Sequence, residues 1–181
     1  MRIRSYEVIL ALTTTGVLSA TPAWSQAGPR KGRPTGQEIA AQAKGARLNT
    51  ANATRGKLGE KHITLTPVDP GQPKSIGDLE AGEVVGVMEA EVAGDETGLP
   101  VGKYDLYAAK VGDKWHVYAE AHGQIVQEAT RVGLGERKRG AGAKPEFVAK
   151  GYGFILPLPR NCYYPPCPGD PDPFPVLWFY F

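Results

Sequence analysis

Apolar and polar residues alternate most regularly between Gly102 and Ala129, which predicts antiparallel β-strands because successive side chains of a strand point to opposite faces. A tight turn at Gly112 and Asp113 would fold this stretch into a hairpin. One face of the hairpin is apolar and consists of Tyr104, Leu106, Ala108, Trp115, Val117 and Ala119. The opposite face is half polar and consists of Asp105, Tyr107, Lys114, His116, Tyr118 and Glu120.

This register sets the acids Asp105 and Glu120 directly opposite each other. Like charges at opposed positions of a sheet are unfavourable. A bulge or a longer loop would separate them.

Further strands are predicted on both sides of the hairpin, because an isolated hairpin is only marginally stable in water. The predicted strands are His62–Thr66, Gly82–Val92 and, after a turn at His122 and Gly123, Ile125–Ala129. Gly86 and the consecutive valines before it indicate a bulge. The pattern therefore predicts a mainly β fold, either a small antiparallel β-sandwich or a partly open barrel, with its core in residues 60–134.

Residues 1–27 have the pattern of an export signal peptide. A basic start is followed by an apolar stretch, Val8–Ala20, and by small residues that suit cleavage before Gln26 or Gly28. The apolar stretch is diluted by threonines and a glycine and is short for the roughly 30 Å hydrocarbon layer of a membrane, so we expect cleavage rather than a retained anchor. No later stretch reaches transmembrane length. The mature chain is predicted to be periplasmic or extracellular, without a membrane span.

Residues 28–59 form a basic lead-in with a single acid, Glu38. Its cations are Arg30, Lys31, Arg33, Lys44, Arg47, Arg55 and Lys57. Thr35 and Glu38 have the spacing of a capping box, which predicts a short helix from Pro34 to Leu48. Large apolar residues are too few there for a clear docking face, so the favoured interpretation is a solvated, partly helical or disordered arm. The alternative is an arm attracted by its charge to anionic envelope polymers, lipid headgroups or nucleic acid. No aromatic residues interleave with the cations and the net charge is only +2, so no specific nucleic-acid partner is predicted.

The C-terminal part of the chain differs in composition from the predicted β core. Arg131 to Pro145 is predicted to be an exposed connector, and residues 135–146, which overlap it, are predicted to be a Gly-rich linker. Residues 147–181 follow as a tail, with a strand predicted at Gly151–Leu158 and a Pro-rich run after it.

Two features of this tail bear on attachment and compartment. Cys162 and Cys167 are the chain's two cysteines, and in an oxidising compartment they are expected to close a small disulfide loop. Val176–Phe181 is entirely apolar or aromatic. It is predicted to be a final strand in the core, with docking on a partner protein or membrane surface as the alternative.

Motifs for catalysis are sparse. The sequence contains no serine nucleophile elbow, zinc-protease motif, glycine-rich phosphate loop or zinc quartet, and no metal or cofactor is predicted. The acidic loop at residues 94–98 lacks the ligand spacing of an EF-hand, which favours a solvated turn.

The half-polar hairpin face therefore carries the candidate binding residues, which are Tyr107, His116, Tyr118 and Glu120. Exposed aromatic side chains offer large contact area at modest entropic cost. The favoured interpretation is an exported, non-enzymatic binding or structural module of the cell envelope or extracellular space, with an envelope protein or glycan as partner. The alternative is a small hydrolase or metal-dependent enzyme that uses His116 and Glu120.

Overall fold

The computed structural model describes residues 29–58, 61–69, 76–91, 100–137, 144–148, 153–158 and 174–181, which fold as two antiparallel β-sheets. The first sheet is a six-stranded meander of β1 (Thr54–Leu58), β2 (Lys61–Pro67), β3 (Glu83–Ala90), β4 (Gly102–Val111), β5 (Lys114–Ala121) and β6 (Gln124–Glu128). The second has the order β7-β10-β9-β8 and contains β7 (Arg131–Arg137), β8 (Glu146–Val148), β9 (Gly153–Pro157) and β10 (Phe174–Tyr180). Two short helices, α1 (Gly36–Ala43) and α2 (Ile76–Ala81), and a 3₁₀ turn at Thr50–Asn52 complete these elements.

The main core lies between the two sheets. It joins inward side chains of the meander, such as Leu106 and Val117, to Phe154 of β9 and Leu177 of β10. The predicted apolar face of the hairpin supplies this core, with Trp115 partly buried at its edge. The predicted mainly β, sandwich-like fold is therefore confirmed.

The central hairpin has the predicted turn and register. Gly112 adopts φ 60° at the tip, and the second turn places His122 and Gly123 at φ 55° and 80°. Residues with positive φ at both central positions are typical of the tight turns that join antiparallel strands. The predicted bulge is also present, since the pairing of β3 with β4 shifts between Val84 and Gly86.

The strands of the second sheet confirm one prediction from the sequence and correct another. β10 lies in the middle of the sheet with Leu177 and Phe179 fully buried, so the predicted final core strand is correct. The connector predicted from Arg131 onward is wrong at its start, because Arg131–Arg137 is strand β7, paired with β10 along its whole length. Glycine disfavours strands, but here the glycines of β7 leave room for the Trp178 ring on β10.

The lead-in is ordered and packed where the structure describes it. Helix α1 has the predicted capping box, in which the Thr35 hydroxyl accepts a hydrogen bond from the Glu38 amide, but it is shorter than predicted. The interpretation as a solvated arm is wrong because Ile39 is fully buried against the outer face of the first sheet. The strand β1 follows in the same segment. The described molecule thus has three layers: helix α1, the meander and the second sheet.

Several predictions concern residues outside the described ranges. They are the export signal, the loop at residues 94–98, the disulfide between Cys162 and Cys167 and the Pro-rich run. Among the described helices, neither the length nor the apolar character needed to cross a bilayer is reached.

Candidate functional site

The hairpin face predicted to be exposed is covered. Tyr107 and Tyr118 are 2% and 1% exposed, and Glu120 is 3% exposed. The predicted exposure of these three side chains is therefore wrong, whereas His116 is partly exposed.

The cover is the segment 29–48, called here the N-terminal arm. The second apolar cluster of the protein joins this arm to the meander through Ile39, Ala43, Ala46 and Leu48 on one side and Val68, Val84, Tyr107, Ala109, Tyr118 and Ile125 on the other. Small alanines let the arm approach the sheet closely, which a search for large apolar residues does not detect. The aromatic face is therefore an internal docking surface.

Arg30 fixes the start of the arm. Its guanidinium donates hydrogen bonds to both carboxylate oxygens of Glu38, at 2.6 and 3.0 Å, and to the Tyr107 hydroxyl at 2.9 Å. The Arg30 amide also donates to the Lys110 carbonyl at 2.8 Å. The hydrogen bond from Arg30 lowers the pKa of Glu38, while burial raises the pKa of Tyr107 and keeps its hydroxyl neutral. Such a two-pronged contact is geometrically specific and stronger than a neutral hydrogen bond.

A second polar cluster joins the arm to strands β5 and β6. Arg33 lies over the Tyr118 ring, 5.3 Å from its centroid, and forms an ion pair with Glu128 at 3.3 Å. Glu128 also contacts His116, with Oε1 2.6 Å from Nδ1, and the His116 ring stacks on Tyr118 at 5.8 Å. A carboxylate at Nδ1 orients an imidazole and leaves its other nitrogen for acid–base chemistry.

The predicted pairing of His116 with Glu120 is not what the structure shows. His116 contacts Glu128 instead, and sequence reasoning missed Glu128. Glu128 reaches His116 because it lies on β6 directly opposite Tyr118. This register is set by the shift in pairing between Ala119 and Glu120.

Glu120 faces Asp105, the unfavourable pair that the sequence predicted. The two residues are directly opposed on β4 and β5, and no bulge separates them. Oε1 of Glu120 accepts a hydrogen bond from the Gly123 amide at 2.5 Å. Burial raises the pKa of Asp105, and the charge of Glu120 and a side-chain hydrogen bond to it raise the pKa further, while Lys103 lowers it. The two carboxyl groups are thus held opposite each other at a position where Glu120 is buried and Asp105 is half-buried.

The outer face of the second sheet carries two aromatic side chains of the predicted core strand that are not part of its core. Trp178 and Tyr180 are partly exposed, with ring centroids 6.1 Å apart and an interplanar angle of 65°. The indole lies over Gly133 on β7, and the phenol lies over Gly153 on β9. Because glycine has no side chain, each ring lies close to strand backbone, and both side chains remain partly exposed.

Among the described residues, no group of three or more His, Cys, Asp or Glu side chains is placed to hold a metal ion. The fold and these clusters define a two-sheet β-sandwich with one outer face capped by a helical arm. Comparison with protein-family models, curated proteins and solved structures finds no match for this chain.

Proposed function

We propose that the chain is an exported, non-enzymatic binding module of the cell envelope or extracellular space, and that it binds a glycan at Trp178 and Tyr180. The aromatic pair on the outer face of the second sheet is the observation that supports this proposal. It replaces the hairpin face as the candidate binding surface, because the arm covers Tyr107 and Tyr118.

A sugar ring fits the chemistry of this surface. One side of a pyranose carries C–H groups that pack on an aromatic ring by dispersion, while hydroxyls at its edge need hydrogen-bond partners. Arg131 supplies such donors, since it is exposed and lies opposite Tyr180 in the register of β7 with β10. The two rings are inclined to each other by 65°, so a sugar can stack on one ring while it contacts the edge of the other.

Tryptophan fluorescence offers a direct test on the mature chain. Trp24 lies in the predicted signal peptide, so the variant Trp115→Phe keeps Trp178 as the reporter. Soluble peptidoglycan fragments, polygalacturonate and dextran are titrated separately. A saturable change in Trp178 emission with at least one of them is expected, with loss of affinity of about tenfold or more in Tyr180→Ala.

Val126→Ala is the matched control, because Val126 is an exposed apolar residue on the first sheet. It should leave the titration unchanged, and circular dichroism should show that all variants fold. The glycan proposal fails if none of the polysaccharides changes the emission, or if Tyr180→Ala binds as tightly as its parent.

Export is tested separately by N-terminal sequencing of the protein recovered outside the cytoplasm. The expected first residue is Gln26 or Gly28, from the small residues that precede each. Recovery of the chain with Met1 intact would contradict cleavage.

The contact of His116 with Glu128 supports a second candidate function, a small hydrolase or metal-dependent enzyme. This candidate takes Glu128, rather than Glu120, as the group that orients the imidazole. It predicts that the purified protein carries a stoichiometric transition metal or a hydrolytic activity that His116→Ala removes. Equal metal content and activity in the parent and in His116→Ala would eliminate it.

A further inference from the structure

We propose that the protonation of Asp105 and Glu120 controls how firmly the N-terminal arm is packed on the first sheet. The arm is held firmly while the pair carries a proton and loosens when both carboxyls are ionised. This inference concerns the first sheet and does not depend on the proposed glycan site. Its consequence is conformational: loosening of the arm uncovers Tyr107 and Tyr118, the aromatic side chains beneath it.

The first step is the contact between the pair and the turn that joins β5 to β6. Glu120 is almost completely buried, and its Oε1 accepts the Gly123 amide hydrogen. The turn needs this support, because His122 occupies the left-handed region at φ 55°, which is costly for a residue with a Cβ. The position of the Glu120 carboxylate therefore influences the shape of the turn.

The second step is the contact between the turn and the arm. Helix α1 begins at Gly36, whose Cα lies so close to the Gly123 carbonyl and to Gln124 that a Cβ would overlap their backbone. Gln37 packs beside Gly123. Any displacement of the turn backbone is transmitted directly to the first turn of the helix, because there is no side chain between them to absorb it.

The third step is the loss of the proton that the two carboxyl groups share. In the singly protonated pair, the Asp105 carboxyl donates to Glu120 while Glu120 accepts from Gly123. When that proton leaves to water, two carboxylates face each other in a partly dry site, and their repulsion is relieved if Glu120 moves toward solvent. That movement gives up the Gly123 hydrogen bond and releases the turn.

The surrounding charges do not neutralise the pair. Lys103 on β4 faces Asp105 but also pairs with Glu89 of β3 at 3.5 Å. The residues opposite the two acids on β3 and β6 are apolar: Val87 faces Asp105 and Ile125 faces Glu120.

Two further titratable groups belong to the arm and the turn. Glu38 of α1 is engaged by Arg30, whose hydrogen bond lowers the pKa of Glu38. His122 of the turn is exposed. Glu38 and His122 are unchanged in a variant that replaces only Asp105, so their titration affects the parent and the variant equally. The ratio of the exchange rates of the two proteins therefore reports on the pair of Asp105 and Glu120.

Hydrogen exchange of the peptide that contains Gly36–Ala43 tests the proposal on the mature chain. The rate is measured from about pH 4 to about pH 8 in the parent and in Asp105→Asn, whose amide can donate to Glu120 at every pH. The peptide has the same sequence in both proteins, so intrinsic exchange cancels in the ratio. We expect the exchange rate of this peptide to be about equal in the parent and the variant in acid. At neutral pH it should be about threefold or more higher in the parent.

Glu120→Gln is the second variant, since its amide oxygen still accepts from Gly123 and its charge is gone. It should give the same pH-dependent ratio as Asp105→Asn. Glu136→Gln is the control and should give a ratio that does not change with pH, because Glu136 is an exposed acid on β7 of the second sheet, away from the pair. The proposal is overturned if the ratio for α1 stays constant with pH in both test variants, or if Glu136→Gln reproduces their effect.

Discussion

Gly36 lies directly against Gly123, so that the first residue of helix α1 and the turn between β5 and β6 touch backbone to backbone. This contact joins the arm to the meander at a point where no side chain fits. The arm is therefore part of the folded unit rather than an appendage of it.

Gly36→Ala tests this contact. Alanine has the higher helix propensity, which alone would stabilise α1 by up to about 1 kcal/mol. Overlap of the new Cβ with the Gly123 backbone should outweigh that gain and lower the free energy of unfolding by about 1–3 kcal/mol. Urea denaturation measures the difference. Gly32→Ala is the matched control in the same arm, since a Cβ there meets nothing within 4 Å, and equal stability of the two variants would contradict the contact.

The bond between Arg30 and Tyr107 gives a second prediction. Arg30→Met leaves the buried Tyr107 hydroxyl without this donor, so the free energy of unfolding should fall by about 1–3 kcal/mol. Lys31→Met, which removes an exposed neighbouring cation, should change it by no more than about 0.5 kcal/mol. In a Tyr107→Phe background the cost of Arg30→Met should shrink, which a double-mutant cycle measures. Equal costs in the two backgrounds would show that Arg30 and Tyr107 are not coupled.

The same cluster has a defined pH dependence. Because Arg30 lowers the pKa of Glu38 in the folded state, this contact contributes stability that is fully present above the ordinary glutamate pKa. It is lost as the pH falls through the folded pKa of Glu38. The cost of Arg30→Met should accordingly decrease in strong acid, when the carboxylate that Arg30 binds is protonated.

Sequence alone predicted the elements in which local pattern and tertiary environment agree. The alternation in β4 and β5, the glycine turns and the capping box of Thr35 and Glu38 each depend on neighbours within a few residues. Burial of Leu177 and Phe179 followed from the fact that a large apolar end is rarely left in water.

What the sequence did not predict depends on contacts between distant segments. Tyr107 and Tyr118 were assigned to an open surface because period-two alternation identifies a second face but not what covers it. Strand β7 was missed because its glycines are favourable only beside the ring of Trp178. Glu128 became the partner of His116 through a register shift that no short motif encodes.

The pair of Asp105 and Glu120 gives a prediction for global stability. Burial is the main cause that raises the pKa of Asp105 in the folded state, and the neighbouring Glu120 raises it further. The stabilising contribution of the protonated pair is therefore fully present below the ordinary aspartate pKa. It is lost as the pH rises through the folded pKa. At neutral pH, Asp105→Asn should therefore unfold with a free energy about 0.5–1 kcal/mol higher than the parent, the size of an opposed charge pair on a sheet. Urea titrations should show this advantage disappearing in acid, and a variant less stable than the parent at neutral pH would contradict the sign.

The outer face of the second sheet gives the last prediction, from two glycines of one strand. A Cβ on Gly133 would overlap the Trp178 indole, whereas a Cβ on Gly135 would lie 3.4 Å from the same ring, at ordinary contact distance. Gly133→Ala should therefore cost about 1–3 kcal/mol of unfolding free energy and shift Trp178 emission as the ring is pushed outward. Gly135→Ala should be neutral or slightly stabilising, because alanine loses less backbone entropy than glycine on folding. If Gly133→Ala were as stable as Gly135→Ala and left the emission unchanged, the indole would not rest on β7, and the aromatic surface proposed for glycan binding would lose its support.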